Sequence, residues 1–195
     1  AHLDRVPNLM IDFWRAHGVG GLRKRTLWIV MPDTLAGVAD AIFGGDPDLG
    51  GDTVIIAYGA MGNLVCWNAR HGIVLVALSA GSVQAPGLTV PASRKNPDVE
   101  MLELFQKLHP FFLDRVDSEN EPMLDRVRAE TRDLLAGEVY GAYPVATIGG
   151  TILVENVQID EVDTYLSLVA LNRAFTLDDF ETGRMNIRVI GEERP

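Results

Sequence analysis

Thr53-Val54-Ile55-Ile56-Ala57-Tyr58, Asn63-Leu64-Val65-Cys66-Trp67 and Gly72-Ile73-Val74-Leu75-Val76-Ala77-Leu78 are three apolar runs, parted by residues 59–62 and 68–71. Each has the length of a strand, and connections this short join antiparallel neighbours rather than parallel strands, which need a long crossover. The stretch therefore reads as an antiparallel meander. The runs alternate poorly between apolar and polar residues, so both faces are expected to be covered, with the flanking helices on one side.

Upstream, Leu9, Met10, Phe13 and Trp14 recur at helical spacing between Pro7, which is tolerated at a helix start, and Gly18, which can end one. Residues 27–30 are rich in β-formers, and Pro32-Asp33-Thr34 opens a helix through Phe43. Residues 44–52, with five glycines and prolines among three aspartates, form a loop.

Downstream, residues 81–91 are turn-rich, and the composition shift at residues 91–98 places a domain boundary between 92 and 93, dividing the chain into 1–92 and 93–195. Helices are expected to dominate the second part. Met101, Phe105, Leu108 and Phe112 mark one that Pro110 breaks near His109. Leu124, Val127, Thr131 and Leu134 mark another, closed near Gly137, and a last helix spans residues 158–172 before a terminal strand at 187–190. The class is α+β: an antiparallel β-meander packed with helices, then a mainly helical C-terminal region. Within it, Leu134-Leu135-Ala136-Gly137-Glu138-Val139-Tyr140-Gly141-Ala142-Tyr143-Pro144, closed by Gly149-Gly150, reads as a helix end running into a tight crossing.

At 195 residues and 47% apolar content the chain can bury a sizeable core. Its longest apolar run, residues 73–78, falls far short of the ~20 residues needed to cross a bilayer. The single cysteine, Cys66, excludes an internal disulfide framework and favours a cytoplasmic setting; beside Trp67 it reads as a buried, inert thiol. Seventeen basic against 27 acidic side chains give a net charge of -10. That balance disfavours nucleic acid as a direct partner, because phosphate binding draws its affinity from Lys and Arg, and it suits a basic protein partner. The one dense basic run, Arg23-Lys24-Arg25, precedes a strand and reads as solvated.

Motifs for chemistry fail one by one. Asp46-x-Asp48 begins like a calcium loop, but Gly50 and Ala57 stand where oxygen ligands are required. His2, His17, His71 and His109 have no zinc spacing, and Ser79-Ala80-Gly81-Ser82 lacks the glycine of a nucleophile elbow. The glycine runs at 18–21 and 59–62 complete neither a dinucleotide fingerprint nor a phosphate loop. No cofactor or metal is expected. Asp160, Glu161 and Asp163 fit the first turn of a helix, where the dipole favours acids, and Glu138 fits a carboxylate bonded to nearby backbone.

The stretch from Leu134 through Gly137, Glu138, Tyr140, Gly141 and Pro144 to Gly149 and Gly150 resembles the C-terminal domain of type VI secretion immunity proteins, with its L-x-x-G-E-x-Y-G-x-x-P…G-G pattern. Upstream, residues 7–14, His17-Gly18, residues 27–33, Tyr58-Gly59 and residues 64–67 resemble the GAD-like domain that precedes it there. The resemblance implies a non-enzymatic, cytoplasmic immunity protein that neutralises a cognate nuclease toxin by blocking its active site or its approach to DNA. The alternatives are a small-molecule enzyme using a carboxylate in an inter-domain pocket and a structural or regulatory protein-binding module. Charged loops are the natural place for the toxin to bind, which singles out Asp46, Asp48 and Asp52 together with Asp117, Glu119 and Glu121.

Overall fold

The computed structural model describes residues 3–143 and 153–191. The meander forms as its runs predict, from β3 (Thr53–Gly59), β4 (Leu64–Asn68) and β5 (Gly72–Ala77). Cys66 of β4 pairs with Ile55 on one side and Val74 on the other, all antiparallel. A hairpin of β1 (Gly20–Leu22) and β2 (Leu27–Ile29) extends it, with Trp28 opposite Tyr58. Before that hairpin lies α1 (Asn8–His17), which Gly18 ends at φ +70° with its N–H on the Trp14 carbonyl.

Beyond β5 come β6 (Ser82–Gln84), α3 (Pro86–Thr89), α4 (Pro97–Lys107) and α5 (Pro110–Leu113), α2 (Ala36–Phe43) having preceded β3. Then follow α6 (Leu124–Glu130), β7 (Glu138–Ala142), β8 (Val157–Glu161), α7 (Val162–Leu171), β9 (Thr176–Asp179) and β10 (Arg184–Val189). Among the described residues one sheet runs β1-β2-β3-β4-β5-β6-β9-β10, and β7 and β8 make a separate pair. Among the described strand pairs only β6 and β9 lie parallel. The α+β class holds, and the helices of the second half alternate with four strands, two of which complete the sheet.

Both faces are covered, but by helices on each side rather than on one. Val54, Ile56, Val65 and Trp67 pack with Met10 and Trp14 of α1 and Met101 and Leu104 of α4. Ile55, Cys66, Val74 and Val76 pack on the other face with α2, α6 and α7 through Val38, Val127 and Leu166. Complete burial explains why β3 and β4 read as continuous apolar runs without alternation. β5 is buried only at alternate residues, because Ile73, Leu75 and Ala77 face a part of the sheet that α1 and α4 leave open.

Several expected boundaries move. The helix opened by Pro32 starts only at Ala36, and the one read through Leu134 stops at Glu130. Gly137, at φ +82°, leads into β7 instead of capping a helix. Residues 158–161 are strand, so the last helix begins at Val162. There Glu161 caps it by accepting the Asp163 and Thr164 N–H groups, which fits the dipole reading of Glu161 and Asp163; Asp160 stands on β8. The boundary read at 92/93 is crossed by the sheet, since β9 pairs with β6.

Candidate partner-binding surface

The two acidic groups differ in what they leave free. Asp46 is enclosed, its side chain 0% exposed. It accepts hydrogen bonds from the Asp48, Leu49 and Gly191 N–H groups and from both terminal nitrogens of Arg188. Burial alone would raise its pKa, but the guanidinium and the three N–H groups outweigh it and hold the carboxyl down at about 2. Asp48 shares Arg188, and Asp52 pairs with Arg70. Asp117 is likewise enclosed: its carboxylate accepts the Glu119 and Glu121 N–H groups and pairs with Arg126, which lowers its pKa. Of the six, Asp46 and Asp117 are internal fasteners of their loops, while Glu119 and Glu121 stand exposed. The sequence shows the charges; it does not show that Arg188, 142 residues from Asp46 in the chain, pairs with it.

Pro144, Gly149 and Gly150 lie outside the described residues; the rest of that pattern builds a strand. Glu138 opens β7, takes a two-pronged bond from Arg132 at 2.8 and 2.7 Å, and accepts the Leu135 N–H at 2.7 Å. The Arg132 bonds first, then the Leu135 N–H, bring its pKa down to about 2. Tyr140 is fully buried and donates its hydroxyl to the Arg132 carbonyl at 2.6 Å. Glu138 thus ties the 131–137 turn to the strand, as a backbone-bonded carboxylate would. Glu138→Gln is expected to cost about 1 kcal/mol, the worth of a partly exposed charged hydrogen bond, and to leave partner binding intact. Urea denaturation beside a binding assay checks both; lost binding in a stable variant would make this carboxylate functional.

A groove of about 870 Å³ runs along the open part of the sheet, floored by Ile73, Leu75 and Ala77 and walled by α4. Glu100 is its buried carboxylate, bonded to the Arg94 guanidinium at 3.1 Å and to the Lys95 N–H at 2.6 Å. His71 lies at the same end, its pKa lowered chiefly by burial and then by the charge of Arg70. Glu100 thus serves as a structural acceptor for Arg94 and the Lys95 N–H. Among the described residues no group of three or more His, Cys, Asp or Glu side chains could hold a metal ion, and no helix is long and apolar enough to cross a membrane.

The basic run is not simply solvated. Arg23, Lys24 and Arg25 have φ of 48°, 56° and 62°, one turn of left-handed backbone joining β1 to β2. Residues with a Cβ adopt that conformation at about 1–2 kcal/mol each, so the turn must be held from outside. Arg23 donates to the Leu108 and Phe105 carbonyls, capping the end of α4; Arg25 donates to the Leu134 carbonyl at 3.3 Å. Arg128, itself placed between Asp125 and Asp133, donates to the Lys24 carbonyl at 2.8 Å. Elsewhere Arg5, Arg70 and Arg173 also donate to main-chain carbonyls. At contact distance, then, many guanidinium donors are engaged on the chain's own carbonyls, whereas Asp125 and Asp133, though each also contacts Arg128, remain 98% and 61% exposed.

Residues 2–80 match the GAD-like domain. No protein with a curated description matches the chain. Among solved structures the chain is similar to the crystal structure of Atu4351 from Agrobacterium tumefaciens, with a TM-score of 0.92 at 21% identity, over 98% of this chain and 88% of that one. The chain thus carries a GAD-like domain at residues 2–80, inside a fold that it shares with Atu4351.

Proposed function

We propose that this chain is a protein-binding module of the immunity type, which neutralises a cognate type VI DNase toxin by stoichiometric binding rather than by catalysis. The observation that carries the reading is the division of charge: guanidinium donors engaged on the chain's own carbonyls, and carboxylates outward on a chain of net charge -10. A DNase must offer a basic surface to phosphate, and an acidic inhibitor is steered onto that surface and competes with DNA there. The GAD-like match at residues 2–80, followed by the immunity-like pattern from Leu134, supports the same reading. Steering falls to the exposed carboxylates, Glu119 and Glu121 among them, with Asp46 and Asp117 reassigned to holding their loops.

The test mixes the purified chain with a candidate cognate type VI DNase and follows plasmid nicking. Nicking is expected to stop near an equimolar ratio, with a complex visible by size-exclusion chromatography. The double variant Glu119→Gln/Glu121→Gln is expected to associate more slowly, with a flatter salt dependence and an unchanged melting temperature. A chain that neither binds this DNase nor slows nicking at severalfold excess is not its immunity protein.

A further inference from the structure

We infer that the Arg115 guanidinium, with Arg173 and the Tyr165 hydroxyl beside it, is the seat of a tetrahedral oxyanion of the phosphate or sulfate class. Arg115 lies between α5 and α6 and is 8% exposed. Its Nη2 is buried and meets no hydrogen-bond acceptor. The other largely buried guanidiniums are each set against a carboxylate: Arg94 on Glu100, Arg128 on Asp125 and Asp133, Arg188 on Asp46 and Asp48. Arg115 has none among the described residues, in a chain with 27 acidic side chains.

What surrounds it is further donors. Arg173, just past the end of α7, stands close enough for its charge to act on Arg115. Its Nη2 donates to the Ala80 carbonyl at 2.7 Å, while its Nε is buried without a partner. The Tyr165 hydroxyl accepts from Arg115 and from the Ala142 N–H at 3.2 Å, so its lone pairs are taken and its hydrogen is left to donate. Burial lowers the Arg115 pKa first, Tyr165 raises it and Arg173 lowers it again, but a guanidinium keeps its proton. Two cations and a hydroxyl are left with unspent donors and no free acceptor among them.

An uncompensated buried charge is among the costliest features a fold can carry, and a second like charge nearby adds to the cost. A small anion removes both. Guanidinium forks match oxyanions in shape as well as sign, and a tetrahedral ion has an oxygen for each unspent donor, where a halide is a single point. Enclosure also selects the occupant. A carboxylate on a partner protein cannot reach so buried a group without bringing its backbone along, whereas a free ion or the phosphoryl end of a small molecule can. The acidic exterior that steers toward a toxin takes no part in this site.

Thermal melts of the full chain in sodium phosphate, sulfate or chloride at equal ionic strength test this, beside isothermal titration calorimetry with phosphate. Phosphate and sulfate should raise the melting temperature saturably over chloride, by about 5–10 °C at a hundred times Kd. Arg115→Met keeps an apolar stem and removes the buried charge, so it should melt no lower than wild type in chloride and lose the phosphate shift. Arg173→Gln should weaken phosphate binding at least about tenfold, and it decides the matter if Arg115→Met does not fold. Glycerol phosphate separates the two sources of the anion: a shift as large as that of phosphate marks the phosphoryl end of a small molecule, no shift marks the free ion, and either supports the site. Equal melting temperatures in the three salts with no heat from phosphate overturn the inference, and so does a phosphate shift that survives both substitutions. Neither result bears on toxin binding.

Discussion

Arg188→Ala should lower the melting temperature by about 6–12 °C, the equivalent of about 3 kcal/mol in a chain of this size. Arg188 reaches from β10 to a carboxylate that no solvent touches, and truncation leaves the Asp46 charge enclosed with only the Asp48, Leu49 and Gly191 N–H groups to stabilise it. The cost comes mainly from that stranded charge. The double variant Asp46→Asn/Arg188→Ala should therefore be less destabilised than the two single effects summed. Acid titration gives an independent check with a definite sign. The pKa of Asp46 is depressed from the usual 3.8 to about 2, so its contribution is complete above about pH 4 and drains away as pH falls toward 2. Asp46→Asn should lack that portion of the acid limb. A melting temperature within about 2 °C of wild type for Arg188→Ala would show that the pair does not hold the loop.

Gly141→Val should be comparably damaging, at about 3 kcal/mol, for a reason the sequence did not supply. A tight crossing, as the stretch reads in sequence, would ask a glycine only for backbone freedom. Its φ is not positive; instead an added Cβ would lie 2.7 Å from Asp160 Oδ2 and 2.8 Å from the Tyr165 ring. The Tyr165 hydroxyl accepts the Ala142 N–H, so the ring cannot easily withdraw. Overpacking of this kind typically costs 1–3 kcal/mol. Gly137→Ala makes the contrast, since a Cβ there meets nothing within 4 Å and only the left-handed φ of +82° resists, at about 1–2 kcal/mol. Thermal melts of the two variants rank them. If Gly137→Ala proves the worse, close packing at Gly141 is not what the position protects.

The meander was legible because both its signals are local: unbroken apolar runs and short connections rich in Gly and Asn. α1 was legible for the same reason, between Pro7 and Gly18. What failed is non-local. Glu138 to Ala142 is a strand only because β8 lies beside it, and the mixed residues from Val157 to Glu161 carry no strand signal apart from that pairing. β9 ends in Asp178 and Asp179, which are buried, and sequence reasoning avoids burying carboxylates. The structure permits it by bonding Asp178 to Ser82 and the Asn186 N–H, and Asp179 to Thr182 and Arg184. The acidic loops show the same limit: composition counts the charges, and only the fold reveals that Asp46 and Asp117 face inward while Lys24 faces out.

The pairing of β6 with β9 also sets a timetable for the ribosome. β6 ends at Gln84, and its partner begins only at Thr176. At typical synthesis rates of ~5–20 residues per second, the intervening chain takes about 5–20 s to appear. Throughout that interval the nascent meander carries an unpaired edge, the kind of edge that recruits other strands. A message cut short anywhere before β9 therefore yields a product with that edge permanently open, a substrate for chaperones and proteases.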